Sequence, residues 1–233
     1  MLQIKNLQKS YNGVQVIDIN QLTIPKGECF GLVGNNGAGK TTLFRLILDL
    51  IYANKSEVLI NKEKVSRNDG WKKITGSFLD ESHLIDFLTP EEYFSFIGKL
   101  HYKSKENITD FLELMKDFFN GDILETNKLL RDFSKGNQKK IGIAAALLGD
   151  PHLLILDEPF TGLDPSSQIR LKRFLVELQL RLNTTILISS HYLNHVTEVC
   201  QRIVVLEKGI IVKDLQTNDD TLMELKEYFE VLT

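Results

Sequence analysis

The sequence predicts an α/β fold: a mostly parallel sheet, an antiparallel β part at the amino end and an α-helical subdomain inserted in the middle third. Three observations predict it. Short apolar runs that end in polar residues recur at Glu28–Val33, Ile74–Leu79, Leu153–Asp157, Thr185–Ser189 and Arg202–Glu207, as expected of strands covered on both faces. The first two dozen residues instead alternate apolar and polar. Between Glu81 and Ala145 the period turns helical.

In chain order, residues 1–7 and about 14–24 read as strands with a turn at Asn12-Gly13. The strand ending at Val33 runs into a Gly-rich turn, and a helix is expected from Lys40 to about Ile51. Thr89-Pro90-Glu91-Glu92 supplies an N-cap, a first-turn proline and a reaching-back glutamate for a helix carrying Phe94, Phe96, Ile97 and Leu100. Ile108–Phe119 is amphipathic, and the charges around Lys99–Glu106 read as a solvated helix face. Ile141–Leu148 and Ile169–Leu182 are further helices, the second opened by Asp164-Pro165. Thr221 and Glu224 offer a capping box for a last helix in a short tail from Asp214. The expected division is one domain over 1–213, with a core of about 1–80 and 146–213, a helical subdomain of about 81–145, and a helical tail over 214–233.

Composition narrows the function. With 42% hydrophobic and 25% charged residues in 233, the chain has enough apolar material for a sizeable core. Lys+Arg 28 against Asp+Glu 31 leaves no global basic footprint, so no nucleic-acid partner is expected. The amino end lacks an apolar stretch of signal-peptide length, and no run approaches the ~20 residues of a membrane span. Cys29 and Cys200 are far apart with no ligand spacing, so they read as small core residues of a strand and a helix. His83, His101, His152 and His195 read as surface or packing residues, and Trp71 carries no signal.

Gly34-Asn35-Asn36-Gly37-Ala38-Gly39-Lys40-Thr41 matches G-x-x-x-x-G-K-[ST], between a strand and a helix. Glycines there let backbone N–H groups turn toward phosphate oxygens, and the helix start adds partial positive charge. Lys40 would reach the β- and γ-phosphates, Thr41 would ligate Mg²⁺, and Thr42 follows in the same turn. Leu153–Asp157 is an apolar strand that delivers Asp157 and Glu158 to its carboxyl end, where ligands bind in such sheets. Asp157 would hold Mg²⁺ through water and Glu158 would polarise an attacking water.

Together with Phe133-Ser134-Lys135-Gly136-Asn137, some twenty residues before Asp157, these motifs resemble the ATP-binding subunit of ABC transporters over about Leu2 to Lys213. Phe133–Asn137 resembles the family signature Leu-Ser-Gly-Gly-Gln, with Lys135 and Asn137 as departures. The Ser134-Lys135-Gly136 variant looks like that of exporter-type cassettes, although Ser134 also suits an ordinary N-cap. The resemblance implies a P-loop NTPase core and ATP hydrolysis with ATP and Mg²⁺. It implies that Tyr11 stacks on adenine, that Asp164 belongs to the D-loop, and that His191 is the switch histidine near the γ-phosphate. Glu81 falls where the family usually has a Mg²⁺-contacting glutamine. The resemblance further implies a sandwich dimer, as homodimer or heterodimer with another such subunit, and a separate transmembrane permease. It would place the chain in the cytoplasm, on the membrane's cytoplasmic face, with export the expected direction. The alternative is a soluble ABC ATPase acting on nucleic acid or ribosomes. Such relatives usually carry two cassettes, coiled coils or basic arms.

Overall fold

The computed structural model describes residues 1–231. β1 (Leu2–Tyr11) and β2 (Val14–Ile24) form an antiparallel hairpin. Its turn residues Asn12 and Gly13 have φ of 50° and 81°, the left-handed pair that a two-residue hairpin needs. β1 runs on to Tyr11, past the expected end at residue 7, because the hairpin register continues to Tyr11 against Val14. β3 (Cys29–Val33) leads to α1 (Lys40–Ile47), which stops short of Ile51: Asp49, at φ 53°, turns the chain out of the helix.

β4 (Lys55–Ile60) and β5 (Glu63–Lys64) were not anticipated. Only Val58 and Ile60 of β4 are buried, so the strand owes its existence to pairing with β1, Ile60 opposite Leu2. Trp71, without signal in the sequence, is buried beneath this sheet and donates its indole N–H to Val65 O at 3.1 Å.

After β6 (Thr75–Phe78) come the helices α2 (Pro90–Leu100), α3 (Lys105–Phe119) and α4 (Lys135–Leu147). Thr89 and Glu92 close the capping box foreseen for α2. On that helix Phe94 is fully buried while Phe96 and Leu100 stay exposed. Lys99–Glu106 is a junction between two helices rather than one face: Tyr102 has φ 55°, and Ser104 caps α3. Then follow β7 (Leu153–Asp157), α5 (Pro165–Leu182), β8 (Thr185–Ser190), α6 (Leu193–Val199), β9 (Arg202–Glu207), β10 (Ile210–Gln216) and α7 (Thr221–Val231). β10 carries strand geometry into the expected tail. Before α7 the Thr221–Glu224 box does not form, because Glu224 pairs with Lys213 at 2.6 Å while Asn218 takes the Asp220 N–H.

One sheet has the order β2-β1-β4-β5 and the other β10-β9-β3-β8-β7-β6. In the second, all neighbours are parallel except the edge pair β9–β10. Its inner strands β3, β7, β8 and β9 are apolar on both sides. Cys29, Val33, Leu154, Leu156, Ile186 and Ile188 face a core shared with α2 to α6. Phe30, Leu32, Leu153, Ile155 and Leu187 face α1 and the antiparallel sheet. Cys200 lies just after α6 rather than within it, its Sγ 3.6 Å from that of Cys29. Among the described residues no helix is long and apolar enough to cross a membrane. The parallel register sets Val33 beside Ser190 and Asp157 beside Ser189, so β3, β7 and β8 end on one edge.

Candidate functional site

That edge gathers the chemistry. β3 releases the chain at Gly34, where a Cβ would sit 2.3 Å from Leu206 O, and the turn closes at Gly39, the N-cap of α1, with φ 108°. Both positions demand glycine. Leu43 N–H, donating to Gly39 O at 2.8 Å, makes the first bond of α1, so the N–H groups of residues 40–42 remain as the positive helix end. A cleft of about 360 Å³ lies over this turn, lined by residues 36–42 together with Val16 and Glu158. Lys40 is buried there; its Nζ donates to Gly34 O at 2.6 Å and stands 3.6 Å from Glu158 Oε1.

Asp157, at the end of β7, is 5% exposed. Thr41 Oγ1 donates to its Oδ2 at 2.5 Å, and the Ser189 hydroxyl donates to Oδ1. Burial pushes the Asp157 carboxyl above the usual range, and the two hydroxyls oppose that rise only in part. Glu158 has φ 48°, in the left-handed region. Its N–H donates to Ser189 Oγ at 2.9 Å and its Oε2 accepts from Thr161 Oγ1 at 3.2 Å. His191 Nδ1 approaches Glu158 Oε1 to 2.9 Å, close enough for an ion pair if the ring is protonated. The same nitrogen is buried and finds no aligned hydrogen bond, so the contact is an electrostatic approach and leaves a polar atom to be satisfied.

The remaining candidates lie around this cluster. Ser134 caps α4, accepting the Asn137 N–H at 3.2 Å. A Cβ on Gly136 would meet Gly162 O at 2.8 Å, so the first turn of α4 rests against the loop after Glu158. Asp164 caps α5 and approaches Lys140 Nζ to 3.4 Å; hydroxyl bonds from Ser166 and Ser167 hold its carboxyl far below the usual range. Tyr11 is half exposed, with Lys9 Nζ 4.6 Å over its ring. Among the described residues, no hydrogen bond or ion pair joins Tyr11 or Ser134 to Lys40, Asp157 or Glu158. Glu81 begins a short 3₁₀ turn after β6 and lies 3.8 Å from Lys139 Nζ.

Two participants escaped the sequence. Ser189 reads as the polar end of a strand until its partners are seen. Lys139 reads as helix surface, in a polar run from Lys135 to Lys140, and nothing in the sequence marks its burial.

Residues 17–161 match the family model described as "ABC transporter". The chain belongs to the ABC transporter family. Within it, this chain is a nucleotide-binding domain, the ATP-hydrolysing part. It is 32% identical to the uncharacterized ABC transporter ATP-binding protein YhcH of Bacillus subtilis (strain 168), over 98% of this chain and 74% of that protein. It is 33% identical to the bacitracin transport ATP-binding protein BcrA of Enterococcus faecalis, over 94% of this chain and 70% of that protein. A solved ATP-binding subunit of an ABC transporter superposes with a TM-score of 0.87 over 100% of both chains, at 27% identity. The ABC assignment accounts for the strand–turn–helix cradle and for the acids beside it.

Proposed function

We propose that this chain binds MgATP over residues 34–42 and hydrolyses it with Glu158 as general base, powering a separately encoded transmembrane permease. The convergence of Lys40, Thr41, Asp157 and Glu158 at one strand edge carries the reading. The buried Lys40 ammonium and the free helix-end N–H groups suit phosphate oxygens. The donor set also fits Mg²⁺: Asp157 is a buried carboxylate whose neighbours are hydroxyls, and Thr41 adds an oxygen. Thr41 and Asp157 would hold the ion, with Glu81 reaching it through water. Bound there, Mg²⁺ supplies charge neutralisation to the phosphoryl oxygens. Glu158 takes a proton from water, whose oxygen bonds the γ-phosphorus as ADP leaves. His191, with its unsatisfied Nδ1, faces the same reaction from β8's end. Tyr11 stacks on adenine with the ring face that Lys9 leaves open.

The signature acts from a second copy. Phe133, Ser134, Lys135, Gly136 and Asn137 of one subunit close over ATP held by the other, with Asp164 at the seam, in a homodimer or a heterodimer. The family's transport role makes a permease the partner, holding the chain at the cytoplasmic face of the membrane. The domain expected over 1–213 is extended through Gln216, the end of β10, with the helical subdomain over about 81–145. A groove of about 290 Å³ between β6, α2 and α4, lined by Phe78, Leu84, Tyr93 and Ile97 among others, is the docking candidate. Export is the direction, from the Ser134-Lys135-Gly136 variant.

Glu158→Gln is the deciding experiment. Nucleotide affinity should stay within about twofold while steady-state hydrolysis falls on the order of 10²-fold or more, the range of a lost general base. Wild-type turnover in that variant removes Glu158 as the base.

A further inference from the structure

Lys139 belongs to no motif in the sequence, yet its ammonium joins three segments of the site. It stands on α4 and is 9% exposed. Nζ donates to Glu158 O at 2.9 Å and to Thr161 O at 2.8 Å, and lies 3.8 Å from Glu81 Oε1. The peptide it grips needs holding. Glu158 is a non-glycine residue at φ 48°, a conformation that persists only where the surroundings impose it. Ser189 holds the peptide unit before Glu158 through its N–H, and Lys139 holds the one after it through its carbonyl. Burial pulls the Lys139 pKa down, while the charges of Glu81, Glu158 and Asp157 favour the protonated form. A neutral donor could still bond the carbonyls, though more weakly. What the charge also adds is the attraction to Glu81, which sits on the turn after β6.

We propose that Lys139 is a positioning residue for hydrolysis: it holds the Glu158 peptide in its left-handed conformation and yokes it to Glu81, so that movement of the turn at Glu81 re-aims the Glu158 carboxylate. The proposal rests on Glu158 being the base. The 81-turn borders the groove between β6, α2 and α4, so an event at that groove would be passed through one ion pair and one hydrogen bond to the residue that faces the reacting water.

Steady-state ATPase kinetics of the purified full chain test this, with Lys139→Met, Lys139→Gln, Glu81→Gln, the two Lys139/Glu81 double variants and Glu158→Gln run together. Lys139→Met should lower kcat about tenfold or more with KM for MgATP within about twofold, the mark of a misplaced group rather than lost binding. Lys139→Gln keeps a donor, is expected to fold if Met does not, and should recover part of kcat. Glu81→Gln should lower kcat by a clearly larger factor with Lys139 present than in either Lys139 variant. Three results overturn the proposal: a Lys139→Met or Lys139→Gln kcat within twofold of wild type, a loss confined to KM, or an effect of Glu81→Gln that simply adds to that of Lys139→Gln. Wild-type turnover by Glu158→Gln would instead sink the assignment of the base, a separate failure.

Discussion

At Asp157 burial and charge are in open conflict. The carboxylate lies at the end of β7, hydrogen-bonded by two hydroxyls; burial, with the Glu158 charge, raises its pKa above the unfolded value, and the hydroxyls and the Lys40 charge offset this only in part. The sign of the linkage follows. The folded state binds this proton more tightly than the unfolded chain does. Stability is therefore highest below the unfolded carboxylate pKa and is lost as pH rises through the raised folded one. At neutral pH the ionised side chain is a net cost that a bound cation would relieve. Asp157→Asn keeps an acceptor for one hydroxyl, and the other can rotate to accept from the amide. Its melting temperature, measured at pH 7 without divalent cation, should rise roughly 2–4 °C, the shift that about 1 kcal/mol brings in a domain of this size. Stabilisation by MgATP should disappear. A lower melting temperature than wild type in metal-free buffer would refute the conflict. Asp157 was legible in the sequence because an acid closing an apolar strand breaks the pattern around it. Lys40 and Thr41 were legible for the same kind of reason, standing where a strand period gives way to a helix. Lys139 was not, since its burial comes from the loop at 158–161 folding over α4, a contact between segments about twenty residues apart.

Two helices test whether a cap is merely a cap. Thr89 and Ser134 both accept an N3 backbone N–H, at 3.3 Å and 3.2 Å, and open α2 and α4 respectively. Thr89→Ala and Ser134→Ala should each cost about 0.5–2 kcal/mol in denaturant unfolding, the usual value of such a cap. Only Ser134→Ala should also lower ATP turnover, because only that hydroxyl belongs to the segment proposed to face nucleotide across a dimer. Equal turnover in the two variants would leave Ser134 a structural cap. The elements themselves were legible where local pattern and tertiary role coincide. β3, β7, β8 and β9 are apolar along their length because they are covered on both faces. β4 and β10 were missed because each is half solvated, with burial that barely rises above that of a loop. Lys99–Glu106 misled for a related reason: its charges are exposed whether the backbone continues as a helix or turns at Tyr102.

For the molecule as a whole, the topology leaves the chemistry on one open edge. Val33, Asp157 and Ser190 end together, and the cleft over residues 36–42 is lined by the start of α1 with Val16 and Glu158. The cap of α4 has its hydrogen bond within its own first turn, which packs closely against the loop at Gly162. A single chain therefore presents the phosphate cradle and the signature as separate surfaces, and a second copy is the economical way to bring them together. With a net charge of only −3, long-range repulsion between two copies is weak. Glu158→Gln is expected to keep MgATP bound and so should trap the closed form of the proposed dimer. In sedimentation velocity that variant should move at twice the 26.6 kDa of one chain with MgATP, and as monomer with MgADP. Adding Ser134→Glu, which sets a carboxylate against the incoming phosphates, should return it to monomer while the melting temperature rise on adding MgATP persists. A monomer with MgATP at every concentration the protein tolerates would contradict self-association and point to a different cassette as the second half of the site.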